Sequence, residues 1–389
     1  MNGKRITLLA VSIVLTAVFV FAGVRYYRIR EAMANPMAVF ALGDIVVPDA
    51  VKTDGDTTVH EVDLVYNEKS YVKKDNILNI VILGRDATPK TGKYADTRPD
   101  GGNTDIMIVM AINLEDGSVR AISIPRDSIA HIYHYNDTED VINREYFDKL
   151  NSAYGAGPRD LDDVQLRNSV TCIQEHLNVF GTFDIEINNY IEVGLTGLME
   201  LTDLVDGVTV KLDNYIPEVG SAGETVTLTS YTAMRYVRDR HNSGGDLGRV
   251  SNSQTYIKAL ARKIQDFYNQ GNTSVAIDIA QKMLSGNLMR TDLTLEEIAS
   301  LAGLLMSTDV SAIDMQTIPV IDEVDIGGFR SYLANYDYDY ETFYASIGAA
   351  DYDDLDIQKD DYYDYGFFTD YESLEEIILD VYYDELVLE

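Results

Sequence analysis

The stretch NILNIVILGRD, Asn76 to Asp86, decides the fold class. Its apolar residues run almost without interruption, where a strand with one wet face would alternate, so both faces are expected to be buried. A strand covered on both sides needs a layer above it and a layer below. Two similar runs follow, DIMIVMAIN (Asp105 to Asn113) and VRAISIPRD (Val119 to Asp127), joined by the turn-forming LEDGS. Beyond them the period changes. Leu161, Val164, Val170, Ile173 and Leu177 recur at helical spacing behind Asp160 as N-cap, and Ile257, Leu260, Ala261 and Ile264 share one face of another helix. Strands interleaved with helices predict an α/β layered domain.

Composition narrows the function classes. A chain of 389 residues makes one large domain with appendages, or two domains. Its apolar fraction of 46% supports a full core and excludes wholesale disorder. With 64 acids against 31 Lys and Arg, the net charge is -33, which excludes nucleic acid as a partner because phosphate neutralisation needs a basic face. One cysteine, Cys172, allows no internal disulfide and no cysteine-based metal site; it falls on the apolar side of a helix and reads as core.

Upstream, Ile6 to Val24 (ITLLAVSIVLTAVFVFAGV) is nineteen residues without a charge, close to the roughly 20 that cross a bilayer as a helix. Lys4 and Arg5 precede it while Arg25, Arg28 and Arg30 follow, so the flanking charges leave its orientation open. A cleaved signal peptide is the competing reading, with AMA (Ala32 to Ala34) as its cleavage site. That site lies well beyond the apolar run and behind three arginines, which favours a retained anchor. Residues 1–30 are read as the N-terminus and transmembrane helix, and residues 31–75 as a stalk. Downstream, Asp337 to Glu389 carries eighteen acids and one lysine among many tyrosines. It reads as a solvated acidic extension, with a cation- or partner-binding segment as the sharper alternative.

Chemistry is expected where buried strands end. Asp86 closes the first run, Arg126 and Asp127 close the third, and Asp105 opens the second. A surface ion pair is the plain reading of Arg126 with Asp127. Against it stands MRYVRDRHNSGGDLGR, Met234 to Arg249, which gathers Arg235, Arg238, Arg240 and Arg249 in an otherwise acidic chain. Thr229 or Ser230 caps a helix bearing Arg235 and Arg238, and HNSGGDLG reads as a flexible loop returning Asp246 and Arg249 to the same place. Guanidinium forks bind phosphate oxygens two at a time, and aspartates among them point to a divalent cation bridging phosphate and protein. Three decoys are set aside. GRDATPKTGKY lacks the first glycine and the Ser or Thr of a phosphate loop, His131 and His134 lack a third zinc ligand, and Cys172 is not a nucleophile.

The order ILGRD, TDIM, SIPRD, KLNSAYGAG, DLVDGVTV, YVRDRHNSGGDLGR and Gln254 resembles the LytR-CpsA-Psr family of cell-wall glycopolymer ligases. The resemblance runs from about Asn76 to Ile264 and more loosely to Ser346, which sets a domain at 76–346 and a tail at 347–389. It implies an α-β-α sandwich outside the cell of a Gram-positive-type bacterium. One N-terminal transmembrane helix behind a short cytoplasmic N-terminus would anchor it in the cell membrane. The implied activity is a phosphotransferase that moves teichoic acid or capsular polysaccharide from a polyprenyl-pyrophosphate-linked donor to a peptidoglycan acceptor, with pyrophosphatase as a side activity. By position, Asp86 and Asp105 correspond to Mg²⁺ ligands (Mn²⁺ as substitute). Arg126, Arg238, Arg240 and Arg249 correspond to pyrophosphate-binding arginines, Asp246 to the acid supporting them, and Gln254 to a substrate contact. The resemblance does not assign the general base. Two departures stand out: Asn103 replaces an arginine beside the metal ligands, and Asn252 with Ser253 replaces Arg-Gln after Arg249. They leave open a polyprenyl-glycan-binding scaffold or regulator without turnover. A second alternative is a wall-binding module working through the tail; under the ligase reading, deletion from Asp337 onward is expected to barely touch activity.

Overall fold

The three apolar runs lie side by side in one sheet. The computed structural model describes residues 27–40, 62–86, 103–135, 142–156, 162–272, 274–334 and 364–386. In chain order the helices are α1 (residues 27–34), α2 (Pro36–Val39), α3 (Ser152–Ala156), α4 (Asp162–Leu177), α5 (Leu195–Leu204), α6 (Ser230–Arg238), α7 (Gly245–Asn269), α8 (Val275–Ser285), α9 (Leu295–Ser307), α10 (Ile326–Leu333) and α11 (Tyr371–Tyr382). The strands are β1 (Leu64–Tyr66), β2 (Lys69–Lys73), β3 (Ile77–Arg85), β4 (Thr104–Asn113), β5 (Val119–Ser123), β6 (Ile129–Tyr135), β7 (Ile142–Lys149), β8 (Asn189–Gly194), β9 (Val208–Lys211), β10 (Thr225–Leu228), β11 (Met289–Thr291), β12 (Asp314–Thr317), β13 (Val320–Asp325), β14 (Tyr365–Thr369) and β15 (Tyr383–Leu386).

The central sheet has the order β11-β8-β3-β4-β5-β12. β3, β4 and β5 form an antiparallel meander; a turn as short as LEDGS, between β4 and β5, joins only antiparallel neighbours. β8 runs parallel to β3, and β12 parallel to β5, each reached through helical crossovers. Alternation along β3 sends Val81 and Leu83 to one face, where Leu166, Ile173 and Leu177 of α4 cover them. Leu78 and Ile80 face the other way, toward Ile298, Leu301 and Leu304 of α9. The fold is therefore mixed α/β, with helices on both faces of the sheet. Asp160, the expected cap of α4, and Leu161 lie outside the described residues.

Two expectations are corrected. Tyr365–Leu386, within the segment read as a solvated extension, is core: Phe368, Leu374, Ile378 and Tyr382 are buried in the main cluster. β14 pairs with β13 and β15 with β2, and the Tyr382 hydroxyl donates to Asn79 Oδ1 at 2.9 Å. The acids on α11 occupy positions between the apolar ones, so composition masked an amphipathic helix. Within the stretch read as a stalk, β1 and β2 make a hairpin against β15, and residues 27–40 dock on the domain. There Ala32 and Phe40 are buried, and a Cβ on Gly303 of α9 would stand 2.4 Å from the Met33 carbonyl oxygen. Among the described residues no helix is long and apolar enough to cross a membrane; Ile6 to Val24 lies outside them.

Candidate active site

Four segments converge at one end of the sheet. β3 delivers Asp86, and the start of β4 delivers Asp105 beside it. A Cβ on Gly84 would lie 2.8 Å from Ile106 Cβ, so glycine permits this close pairing just before the ladder slips by a residue. The turn after β5 supplies Arg126 and Asp127. The end of α6, the segment after it and the first two turns of α7 supply Arg238, Arg240, Asp246 and Arg249.

The segment between α6 and α7 is ordered by its own side chains. A capping box between Thr229 and Thr232 starts α6. After α6, the Asp239 carboxylate accepts bonds from the Asn242 backbone, the Asn242 amide and the Ser243 hydroxyl. Gly244 takes φ 87°, and Gly248 leaves no room for a side chain against the Ser243 carbonyl. Asp246 and Arg249 consequently lie in a helix, where a flexible loop was expected. The second departure is used here: Asn252 donates to Tyr236 O and Ser243 Oγ, and Ser253 Oγ donates to Arg249 O.

The charges interlock. Arg126 Nη1 donates to Asp105 Oδ1 at 2.6 Å and Nε to Asp127 Oδ2 at 3.3 Å. Arg249 Nη1 lies 3.2 Å from Asp105 Oδ2 and Nη2 lies 3.3 Å from Asp246 Oδ1. Arg240 Nε lies 3.2 Å from Asp246 Oδ1, and Arg238 Nη2 donates to Asp86 Oδ2 at 2.9 Å. Arg249 is 3% exposed, yet its Nε and Nη2 and the Asp246 Oδ1 have no aligned hydrogen bond. Buried donors left in that state cost about 1–3 kcal/mol each, a cost that an anion accepting those bonds would offset.

Asp127 belongs to this cluster although sequence reasoning did not commit to it. Burial, then a hydrogen bond shared with Asp246, pushes its carboxyl up to about 7. Burial would raise Asp246 too, but that hydrogen bond and the charges of Arg249, Arg126 and Arg240 outweigh it and hold Asp246 at about 2. Between the two carboxyls the proton is therefore favoured on Asp127 over Asp246. The signal was its place in SIPRD, directly after Arg126.

Beside the charges lies a cavity of about 400 Å³ between the sheet and α5, α7, α8 and α9. Leu198, Leu260, Ile264, Ile279, Met283 and Leu301 are among its apolar lining residues, and Asp86, Asp105, Arg238 and Arg249 line it too. No local sequence signal announced it.

The other residues singled out in the sequence have contacts of their own. Gln254, expected at the substrate, donates from Nε2 to Ser123 Oγ at 2.8 Å and Thr317 Oγ1 at 3.1 Å, tying β5 to β12. Arg235 pairs with Glu218 on the surface. His131 and His134 sit three apart on β6 and so point to opposite faces; His131 stacks on Phe147. Cys172 is buried, and burial pushes its thiol up to about 12. Asn103 lies at the entry to β4, and residues 87–94 of the rejected phosphate-loop pattern lie outside the described residues.

A profile of the LytR_cpsA_psr family matches residues 48–342, well over half of the chain. The polyisoprenyl-teichoic acid–peptidoglycan teichoic acid transferase TagU of Bacillus anthracis is 28% identical over 220 residues, which cover 56% of this chain and 62% of that relative. TagU of Oceanobacillus iheyensis is 29% identical over 251 residues, covering 62% and 65%. The chain thus spans less than two thirds of the length of these relatives. The crystal structure of B. subtilis TagV superposes with a TM-score of 0.52 at 18% identity, covering 79% of this chain and 96% of that one, a likeness of fold.

Proposed function

Since this chain belongs to the LytR_cpsA_psr family, we propose that it is a membrane-anchored phosphotransferase joining a polyprenyl-pyrophosphate-linked glycopolymer to peptidoglycan outside the cell. The observation that carries this reading is the apolar cavity with Arg238, Arg249, Asp86 and Asp105 in its lining. It fits one long apolar chain joined to a compact polyanion: the prenyl tail among Leu198, Leu260 and Ile264, the pyrophosphate on the guanidinium groups.

The arginines bind and orient. Arg126, Arg240 and Arg249 are held by Asp105, Asp127 and Asp246, so their forks are set before the donor arrives, which lowers the cost of organising the site. An acceptor hydroxyl oxygen forms a bond to the sugar-linked phosphorus, the bond from that phosphorus to the bridging oxygen breaks, and polyprenyl phosphate leaves with the electron pair. The hydroxyl proton is lost in the same event. The guanidinium groups stabilise the charge that gathers on the leaving phosphate. Asp86 and Asp105 fit a Mg²⁺ or Mn²⁺ site, because Mg²⁺ is usually held by one or two carboxylates together with substrate phosphates. When bound, the ion would supply further positive charge at the leaving group. Among the described residues no group of three or more His, Cys, Asp or Glu forms a ligand set, so a phosphate-bearing donor would complete the shell.

The test is the full-length protein in detergent with a polyprenyl-pyrophosphate saccharide and peptidoglycan. Divalent-cation-dependent release of polyprenyl phosphate with covalent capture of the saccharide is expected. Release without capture would identify the pyrophosphatase activity alone. Tight donor binding without release would replace the enzyme by a scaffold.

A further inference from the structure

Of the four arginines in Met234 to Arg249, Arg235 stands apart from the network of aspartates and pairs with Glu218 instead. Tyr231, Arg235 and Arg238 stand at i, i+4 and i+7 of α6, so they share one face of the helix over about 10 Å. Arg238, at the inner end, lines the cavity and donates to Asp86. Arg235 and Tyr231 are not in the cavity lining; the Arg235 side chain is 41% exposed and Tyr231 is 48% exposed. The face therefore runs from the cavity out to solvent.

Glu218 reaches that face from the connection between β9 and β10. Its Oε2 accepts from the Tyr231 hydroxyl at 2.8 Å and lies 3.4 Å from Arg235 Nε. Glu218 takes φ 67°, a left-handed conformation that side chains seldom adopt. It sits at the tip of a tight turn closed by backbone hydrogen bonds in both directions between Ile216 and Gly220. Contacts this exposed add little to stability, so they give no reason to keep Glu218 in that conformation. Strain of this kind persists at ligand sites, where a side chain has to be held in place. The bond to Glu218 fixes the Tyr231 ring by its hydroxyl and leaves the ring itself exposed. A flat apolar ring edged by a guanidinium and a carboxylate matches a pyranose, which turns C–H groups to one side and hydroxyls out from its rim.

We infer that Tyr231, with Arg235 and Glu218 beside it, forms a saccharide subsite that stacks a pyranose ring of the donor next to its pyrophosphate. This rests on the pyrophosphate reading above and assigns, within it, where the sugar lies. With the prenyl tail in the apolar cavity, a sugar on the other side of the pyrophosphate has to leave along a surface that is continuous with Arg238 and outside the cavity. The outer part of the α6 face is such a surface.

The test is equilibrium binding to the full-length protein in detergent, using three probes: a polyprenyl pyrophosphate without sugar, the same lipid carrying an N-acetylhexosamine disaccharide, and a soluble, lipid-free peptidoglycan fragment. The wild type is expected to prefer the sugar-bearing lipid over the sugar-free lipid by about tenfold. Tyr231→Ala should cut that preference to about twofold or less, while the sugar-free lipid binds within about twofold of wild type. Tyr231→Phe keeps the ring and loses only the bond to Glu218, so a preference of about fivefold or more should remain. Equal wild-type affinity for the two lipids overturns the subsite. So do equal losses in Tyr231→Ala and Tyr231→Phe, which would make the tyrosine a tie for the turn through its hydroxyl. Tyr231 dependence seen only with the soluble fragment also overturns it, because the sugar would then belong to the acceptor. Failure of the sugar-free lipid to bind overturns the pyrophosphate reading itself, a separate outcome.

Discussion

β3 turns Val81 and Leu83 to one face of the sheet and Ile80 and Ile82 to the other, and the two faces meet different surroundings. On the first, α4, α10, α11 and the C-terminal strands close over the sheet with fully buried side chains such as Ile173, Phe329 and Phe368. On the second, α5, α7, α8 and α9 stand around a hollow of about 400 Å³. Apolar residues line both, so hydrophobicity alone does not distinguish structure from site. What differs is whether facing side chains meet. Where they meet, burial and dispersion hold the fold; where they do not, the lining atoms lack partners that a lipid chain would supply.

The strongest way to break this contrast is to remove part of the filled face. Deleting Asp337 to Glu389 takes away Phe368, Leu374, Ile378 and Tyr382, so the protein should show no cooperative thermal transition. A folded, active truncation would mean that the filled face does not depend on them. This reverses the expectation, drawn under the ligase reading, that the deletion barely touches activity.

Next in size are the site arginines. Arg249→Lys and Arg240→Lys keep the charge but lose the fork, and turnover should fall by about 10²–10³-fold, the scale of losing one oriented donor to a developing oxyanion. Melting temperature separates this from unfolding. Near-wild-type turnover in both would return the cluster to an ordinary network of ion pairs.

Paired truncations measure the contrast directly. Leu166→Ala on the filled face should cost about 2–5 kcal/mol in denaturant unfolding. Leu260→Ala on the hollow face, in protein stripped of lipid, should cost about 1 kcal/mol, since part of that side chain already faces empty space. Equal costs would show that the hollow is closed in solution.

The smallest effect is a pH dependence. Asp127 has a folded value near 7, raised above the ordinary carboxylate range, so its contribution to stability is full below that range and lost as pH rises through about 7. Asp246, held near 2, acts in the opposite sense and matters only under strong acid. Unfolding free energy should therefore decline between about pH 4 and pH 7, and Asp127→Asn should flatten that decline. An unchanged slope in the variant would place the titration elsewhere.

Much of this was legible in the residues themselves. Uninterrupted apolar runs require strands covered twice, and LEDGS between two of them forces an antiparallel pair; both are local consequences of side-chain period and turn length. The site was legible as far as motif order carried it: Asp86, Asp105, Arg126, Arg238, Arg240, Asp246 and Arg249 lie together. Tertiary structure alone decided the rest. It drew the acidic C-terminal segment into the core, because amphipathic faces count for more than net composition once a sheet offers a partner. It turned Gln254 into a tie between strands, brought Asp127 under the proton it shares with Asp246, and set Glu218, from a separate turn, beside Tyr231 and Arg235. The cavity belongs to the same class. A void is defined by which side chains fail to meet, and that depends on how four helices stand against a sheet, a relation that no single stretch of sequence contains.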